Sequence, residues 1–103
     1  MPADSQRLDR FLWFVRLTKT RALAQSLCER GHIRIDGRRI DRAHAPVRPG
    51  NVISLMLNDR VRIIRAEALP ARRGPPTEAR SCYTDLSPVP SEAANDLQQS
   101  GDY

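Results

Sequence analysis

Residues 31–40 read Gly31-His32-Ile33-Arg34-Ile35-Asp36-Gly37-Arg38-Arg39-Ile40, and the apolar period changes within them from helical to alternating. Ile33 and Ile35 point one way, His32 and Arg34 the other. Asp36-Gly37 is the strongest short-range signal for a two-residue hairpin, and Arg38-Arg39-Ile40 returns as its second strand. Downstream, Pro49-Gly50 marks a turn. Residues 52–57 and 61–66 then read as two further strands joined around Asn58-Asp59.

Upstream the pattern is helical. Leu8, Phe11, Leu12 and Val15 fall at i, i+3, i+4 and i+7, one stripe of an amphipathic helix over roughly residues 6–17. Ser5 or Asp4 can cap its start, and Asp9 sits where the helix dipole favours an anion. After a break at Thr18-Lys19, Thr20 is the N-cap of a second helix over 21–30, with Leu23, Ala24, Leu27 and Cys28 as its apolar stripe. Gly31 ends it as a residue free to take positive φ. The expected fold is therefore α+β: a two-helix hairpin packed on a small, mainly antiparallel sheet. Residues 6–69 form this domain. Residues 70–103 hold five of the eight prolines and few large apolar side chains, and read as a mostly disordered, flexible tail in which 77–86 offers one short helix.

Charge points to the partner. The 103 residues carry 17 Lys+Arg against 12 Asp+Glu, a net charge of +5, and the cations are sixteen Arg and Lys19. Residues 1–69 hold 14 basic and 7 acidic side chains, net +7; the tail holds 3 and 5, net −2. A basic body ahead of an acidic tail suits a polyanion. The longest apolar run, 11–15, is far short of the ~20 residues that span a membrane, and it lacks the flanks of a secretory signal. Two cysteines suit a reducing cytoplasm rather than a disulfide scaffold.

The basic residues cluster. Arg7, Arg10 and Phe14 share a face of the first helix, Lys19, Thr20 and Arg21 crowd the start of the second, and Arg34, Arg38 and Arg39 surround the hairpin turn. Guanidinium forks donate in pairs to phosphate and stack on bases. Each arginine taken singly is more often a solvated surface charge; the clustering favours a phosphate-tracking surface. Phe14 is the better candidate for stacking on a base, whereas Trp13 is assigned to packing. Cys28, His32, His44 and Cys82 match no common zinc spacing, so no metal or other cofactor is expected. Cys28 with His32 lacks the surroundings of a nucleophile and base, and no catalytic carboxylate pair is present.

Three segments in order carry a family likeness. Arg7-Leu8-Asp9-Arg10-Phe11-Leu12-Trp13, Lys19-Thr20-Arg21-Ala22-Leu23-Ala24 and residues 31–39 together resemble an S4 RNA-binding domain, from about Arg7 to Leu55. The first two resemble most the ribosome-associated heat-shock protein 15 branch, and a weaker likeness runs through Arg72-Arg73 and Glu78-Ala79-Arg80 to Tyr83. The resemblance implies an α-L motif that grips structured ribosomal RNA on the large ribosomal subunit, including a stalled subunit that still holds nascent chain and transfer RNA. It implies RNA contacts at Arg7, Arg16, Lys19, Thr20, Arg21, Arg34 and Arg39, with Arg10 and Arg38 as additions, in a cytoplasmic, monomeric, non-enzymatic protein. Two departures stand out: Asp36 replaces the usual Asn of the turn, and the short acidic tail replaces a basic extension. Competing readings are a winged-helix DNA-binding regulator and the RNA-targeting subunit of a separate RNA-modifying enzyme. The second helix argues against the first of these, because beyond Arg21 and Gln25 it offers few base-reading groups.

Overall fold

A computed structural model of the chain describes residues 4–87. In order, the elements are β1 (Gln6–Arg7), α1 (Leu8–Phe14), α2 (Arg21–Glu29), β2 (Ile33–Ile35), β3 (Arg38–Ile40), β4 (Pro46–Val47), β5 (Val52–Leu57), β6 (Arg60–Ala66), α3 (Pro76–Arg80) and β7 (Tyr83–Asp85). The main sheet has strand order β3-β2-β5-β6-β7, antiparallel throughout, and β1 and β4 form a separate two-stranded ladder. The α+β architecture read from the sequence is the one observed.

Both expected hairpin turns form. Asp36 and Gly37 take φ of 51° and 82°, and Asn58 and Asp59 take 52° and 63°. Positive φ at both central residues matches the right-handed twist of the flanking strands. Asp36 does more than turn: its Oδ1 accepts from the Val52 N–H and its Oδ2 from Asn51 Nδ2, each at 2.8 Å. The hairpin tip is thus tied to the start of β5.

The helices bury the expected stripe. Leu8, Phe11, Leu12 and Val15 of the first helical segment pack with Ala24, Leu27 and Cys28 against Ile33, Ile35, Ile53, Leu55 and Ile64 of the sheet. Full burial of each large aliphatic or aromatic side chain is worth about 1.5–3 kcal/mol. Leu23 departs from its stripe and stays 39% exposed.

The first helix is shorter than its apolar pattern. Gln6 and Arg7 pair with Val47 and Pro46 as a strand, so neither Ser5 nor Asp4 caps the helix. The carbonyls of Ala45 and Ala43 instead accept from the N–H groups of Leu8 and Asp9. At the other end Arg16 takes φ 66°, the Leu17 N–H reaches the Leu12 carbonyl and the Arg16 N–H reaches that of Trp13. That pair of bonds is a Schellman closure with arginine where glycine is usual, and it stops the helix at Phe14.

Residues 70–87 need a correction. Composition assigned them to the flexible tail, but they are built onto the domain. Pro76 occupies the first turn of α3, where its missing N–H costs nothing. The expected helix over 77–86 is only this short turn, followed by β7, which pairs along β6 from Ile64 to Ala66. Ala79 and Cys82 are buried. Residues 88–103, the rest of the expected tail, lie outside the described residues.

Candidate nucleic-acid interface

Asp9 organises the basic surface. It is fully buried, 0% exposed, one residue into α1. Arg7 donates to both its oxygens, Nε to Oδ1 at 3.0 Å and Nη2 to Oδ2 at 3.1 Å. The Arg10 N–H donates to Oδ1 at 2.8 Å, and Nε of Arg21, from the first turn of α2, stands 3.5 Å from Oδ2. The Arg21 Nε contact is an ion pair without a hydrogen bond, and that nitrogen is buried. Burial acts to raise the Asp9 pKa, but the Arg7 bond, the Arg10 N–H and the charges of Arg7 and Arg21 outweigh it and hold the carboxyl below its ordinary value. One carboxylate thus joins two helices and fixes two guanidinium groups side by side. Arg7 and Arg21 remain 43% and 36% exposed, so their outer faces meet solvent.

The start of α2 is set by Thr20, whose Oγ1 accepts from the Leu23 N–H at 3.0 Å, as an N-cap should. Buried Thr18 donates to the Thr20 carbonyl and steadies the link. Lys19 and Thr20 are exposed beside Arg21. Arg7, Lys19, Thr20 and Arg21 therefore form one cationic cluster across the two helices.

The remaining expected residues divide. Arg39 donates from Nε to the Gly31 carbonyl at 2.9 Å, beyond the far end of α2. Gly31 is required there: it takes φ 77°, and any Cβ would run into the Arg39 guanidinium. Arg34 pairs in register with Arg39 and reaches the Gly37 carbonyl at 3.3 Å. Residues directly opposite in an antiparallel pair share a face, so Arg34 and Arg39 lie together. The nine residues of α2, at about 1.5 Å each, separate its two ends by about 13 Å. Arg38 stands opposite Ile35 and projects from the other face of the hairpin, so the structure does not group it with Arg34 and Arg39. Arg10 is exposed on α1.

Arg16 is turned toward the chain itself. Its Nε donates to the Gly74 carbonyl, while Arg73 donates from Nε to the Trp13 carbonyl at 3.1 Å and lies 5.8 Å from the centre of the Trp13 ring. Residues 73 and 74 thereby strap the end of α1. Trp13 is partly buried against the core, as assigned, with the Phe14 ring 5.6 Å away. Cys28 is buried and its thiol is pushed up to about 12, chiefly by burial and then by the charges of Asp9 and Glu29. Among the described residues no group of three or more His, Cys, Asp or Glu is placed to hold a metal ion, and no helix is long and apolar enough to cross a membrane.

Sequence reasoning found the arginines but not what holds them. Asp9 was explained by the helix dipole alone. The signal for more was its position within Arg7-Leu8-Asp9-Arg10, an acid enclosed by the basic face.

Residues 6–53, which hold the two-helix hairpin, the β-hairpin and the start of β5, match the S4 domain family model. The chain is also similar to heat shock protein 15. It is 32% identical to the Escherichia coli protein over 86 residues, covering 84% of this chain and 64% of that one. The trimeric structure of Vibrio cholerae heat shock protein 15 superposes with a TM-score of 0.79 at 26% identity, covering 95% of this chain and 99% of that one. Small ribosomal subunit protein uS4 of Protochlamydia amoebophila is 42% identical over 71 residues, 67% of this chain and 34% of that protein. The chain thus spans about a third of such uS4 relatives and 64% of the Escherichia coli heat shock protein.

Proposed function

We propose that this protein binds structured ribosomal RNA, on the large ribosomal subunit, and acts in the rescue or recycling of stalled subunits. The observation that carries the reading is the Asp9 carboxylate holding Arg7 and Arg21 together on the outer surface of the helical hairpin. Fixed guanidinium groups lose little freedom when they take phosphates. Lys19 and Thr20 extend that cluster, and Arg34 and Arg39 supply a second cationic point at the other end of α2, with Arg10 and Arg38 in additional contacts. Recognition is electrostatic and by shape: arginines neutralise backbone phosphates and the spacing of the two points sets register. The arrangement binds without catalysing a reaction and requires no cofactor. The heat shock protein 15 and uS4 likenesses support a ribosomal partner. In this reading the protein works in the cytoplasm as a monomer, with a stalled nascent chain-tRNA complex as a further ligand.

Two measurements test this. Affinity for ribosomal RNA should fall steeply with salt, and Arg21→Ala should weaken binding uniformly across RNAs and reduce the salt slope by about one. In sucrose gradients of cell lysate the protein should travel with free 50S subunits. Binding indifferent to salt, or a protein that stays at the top of the gradient, would refute the reading. A protein that sediments alone as a trimer, like its Vibrio relative, would refute the monomer.

A further inference from the structure

Arg38, separated from the other hairpin arginines, lines an open groove of about 420 Å³ together with Arg42 and Arg48. All three are exposed, and none forms an ion pair among the described residues. The acid in the lining, Asp36, has both oxygens engaged by the Val52 N–H and by Asn51. Three cations thus share a concave surface with one carboxylate, which keeps its charge while it accepts those bonds, and the excess of positive charge is an arrangement that an incoming anion would relieve.

The groove adjoins the Asp9 cluster. Pro46, in its wall, stands opposite Arg7 in the β1–β4 ladder, so the two side chains share a face. The loop that carries Arg42 is fastened to α1 through the Ala43 and Ala45 carbonyls, which accept from Asp9 and Leu8. Groove and cluster belong to one rigid unit.

We infer that this groove is a further binding site, seating an unpaired stretch of the same RNA whose backbone Arg7 and Arg21 hold. The inference rests on the proposed RNA-binding function and extends it to residues with no part in the cluster. Its size falls in the range of small-ligand pockets, about 300–1,000 Å³, which suits one or two nucleotides and not a duplex. Its chemistry suits a nucleotide on both counts. The guanidinium forks take phosphate oxygens, and the apolar wall of Ile40 and Pro46 gives a base or ribose a surface to lie on.

The test compares two triple variants that lose equal charge. One is Arg38→Ala with Arg42→Ala and Arg48→Ala in the groove. The other is Arg62→Ala with Arg65→Ala and Arg72→Ala, remote arginines whose ion pairs are with Asp85, Glu67 and Glu78. Binding is measured to RNA fragments from large subunits across a salt series. The groove variant should lower the salt slope by about two and weaken binding roughly tenfold, at 0.7–0.9 of slope per phosphate contact; the remote variant should do much less. Circular dichroism confirms that both fold. Cross-linking the wild-type protein on isolated 50S subunits should join residues 38–51 to nucleotides. Equal losses in the two variants, an unchanged groove variant, or cross-links to a ribosomal protein would overturn the groove alone. A wild-type protein that does not bind RNA would overturn the function itself and the groove with it.

Discussion

Replacing Asp9 with Asn separates positioning from simple charge. The substitution keeps the shape of a fully buried side chain and removes its charge. One amide oxygen remains to accept from the Arg10 N–H or from Arg7, but the NH2 group then faces a guanidinium donor. Hydrogen bonds to charged groups are worth about 1.5–3 kcal/mol, and at least one is lost. The Coulombic loss is smaller than for a wholly buried pair, because Arg7 and Arg21 are 43% and 36% exposed and water can solvate them. A net destabilisation of about 2 kcal/mol follows. At about 4–8 °C per kcal/mol for a domain of this size, the melting temperature should fall by roughly 8–16 °C.

The effect on RNA goes against net charge. Asp9→Asn takes a negative charge off the binding face, so electrostatics alone calls for tighter binding. Loosening two arginines costs about 0.5–1.5 kcal/mol each on binding, which together predicts at least roughly fivefold weaker affinity. Fluorescence anisotropy with ribosomal RNA, at a temperature where both proteins are folded, decides between them. An unchanged melting temperature with equal or tighter binding would refute the positioning role. The pH dependence follows from the lowered pKa of Asp9. The unfolded chain takes up the proton first, so the contribution of Asp9 is complete above about pH 5, where an ordinary carboxylate of pKa about 3.9 is ionised. It is lost as pH falls through that value and the lower folded one. The wild type should therefore lose more stability below pH 5 than Asp9→Asn does; parallel acid melts would contradict this.

Gly31→Ala should cost about 1–2 kcal/mol for its positive φ, while the Arg39 guanidinium that its Cβ would meet is the end of a flexible side chain and can swing aside. Arg39→Ala in the same background should therefore recover little of the loss, which thermal melts of the two variants can read. A chain ended at Leu69 loses β7, the Arg73 contact with Trp13 and buried Cys82, and should melt far below one ended at Ser87; equal melting would show that the strap contributes nothing. The buried Cys28 thiol, raised to about 12, should resist iodoacetamide at pH 8 until the protein unfolds. Mass mapping that finds it alkylated in the native protein at the rate of a free thiol would refute that burial.

What was legible in the sequence was local. Alternation around Asp36-Gly37, the Thr20 cap and the Gly31 stop each depend on neighbours within a few residues, and all three stand as read. The end of α1 was hidden because the apolar stripe runs on to Val15, while a Schellman closure through Arg16 ends the helix at Phe14; periodicity reports burial, not backbone hydrogen bonding. β7 was hidden for a related reason. Its strand is held by backbone pairing to β6 beside a proline-rich stretch, and composition carries no record of a partner some twenty residues away. The candidate site divides along the same line. Arginine as a residue type announces itself, but its grouping is tertiary: strand register alone sends Arg38 away from Arg34 and Arg39, and a ladder of two residues brings Pro46 beside Arg7. Asp9 shows most clearly why such grouping escapes a local reading. Its place near the helix N-terminus is already explained by the dipole and by the Arg10 N–H, so nothing remains unexplained until Arg21 arrives across the helical hairpin at the same carboxylate. A residue that satisfies a local and a long-range demand at once shows only the local one in its sequence.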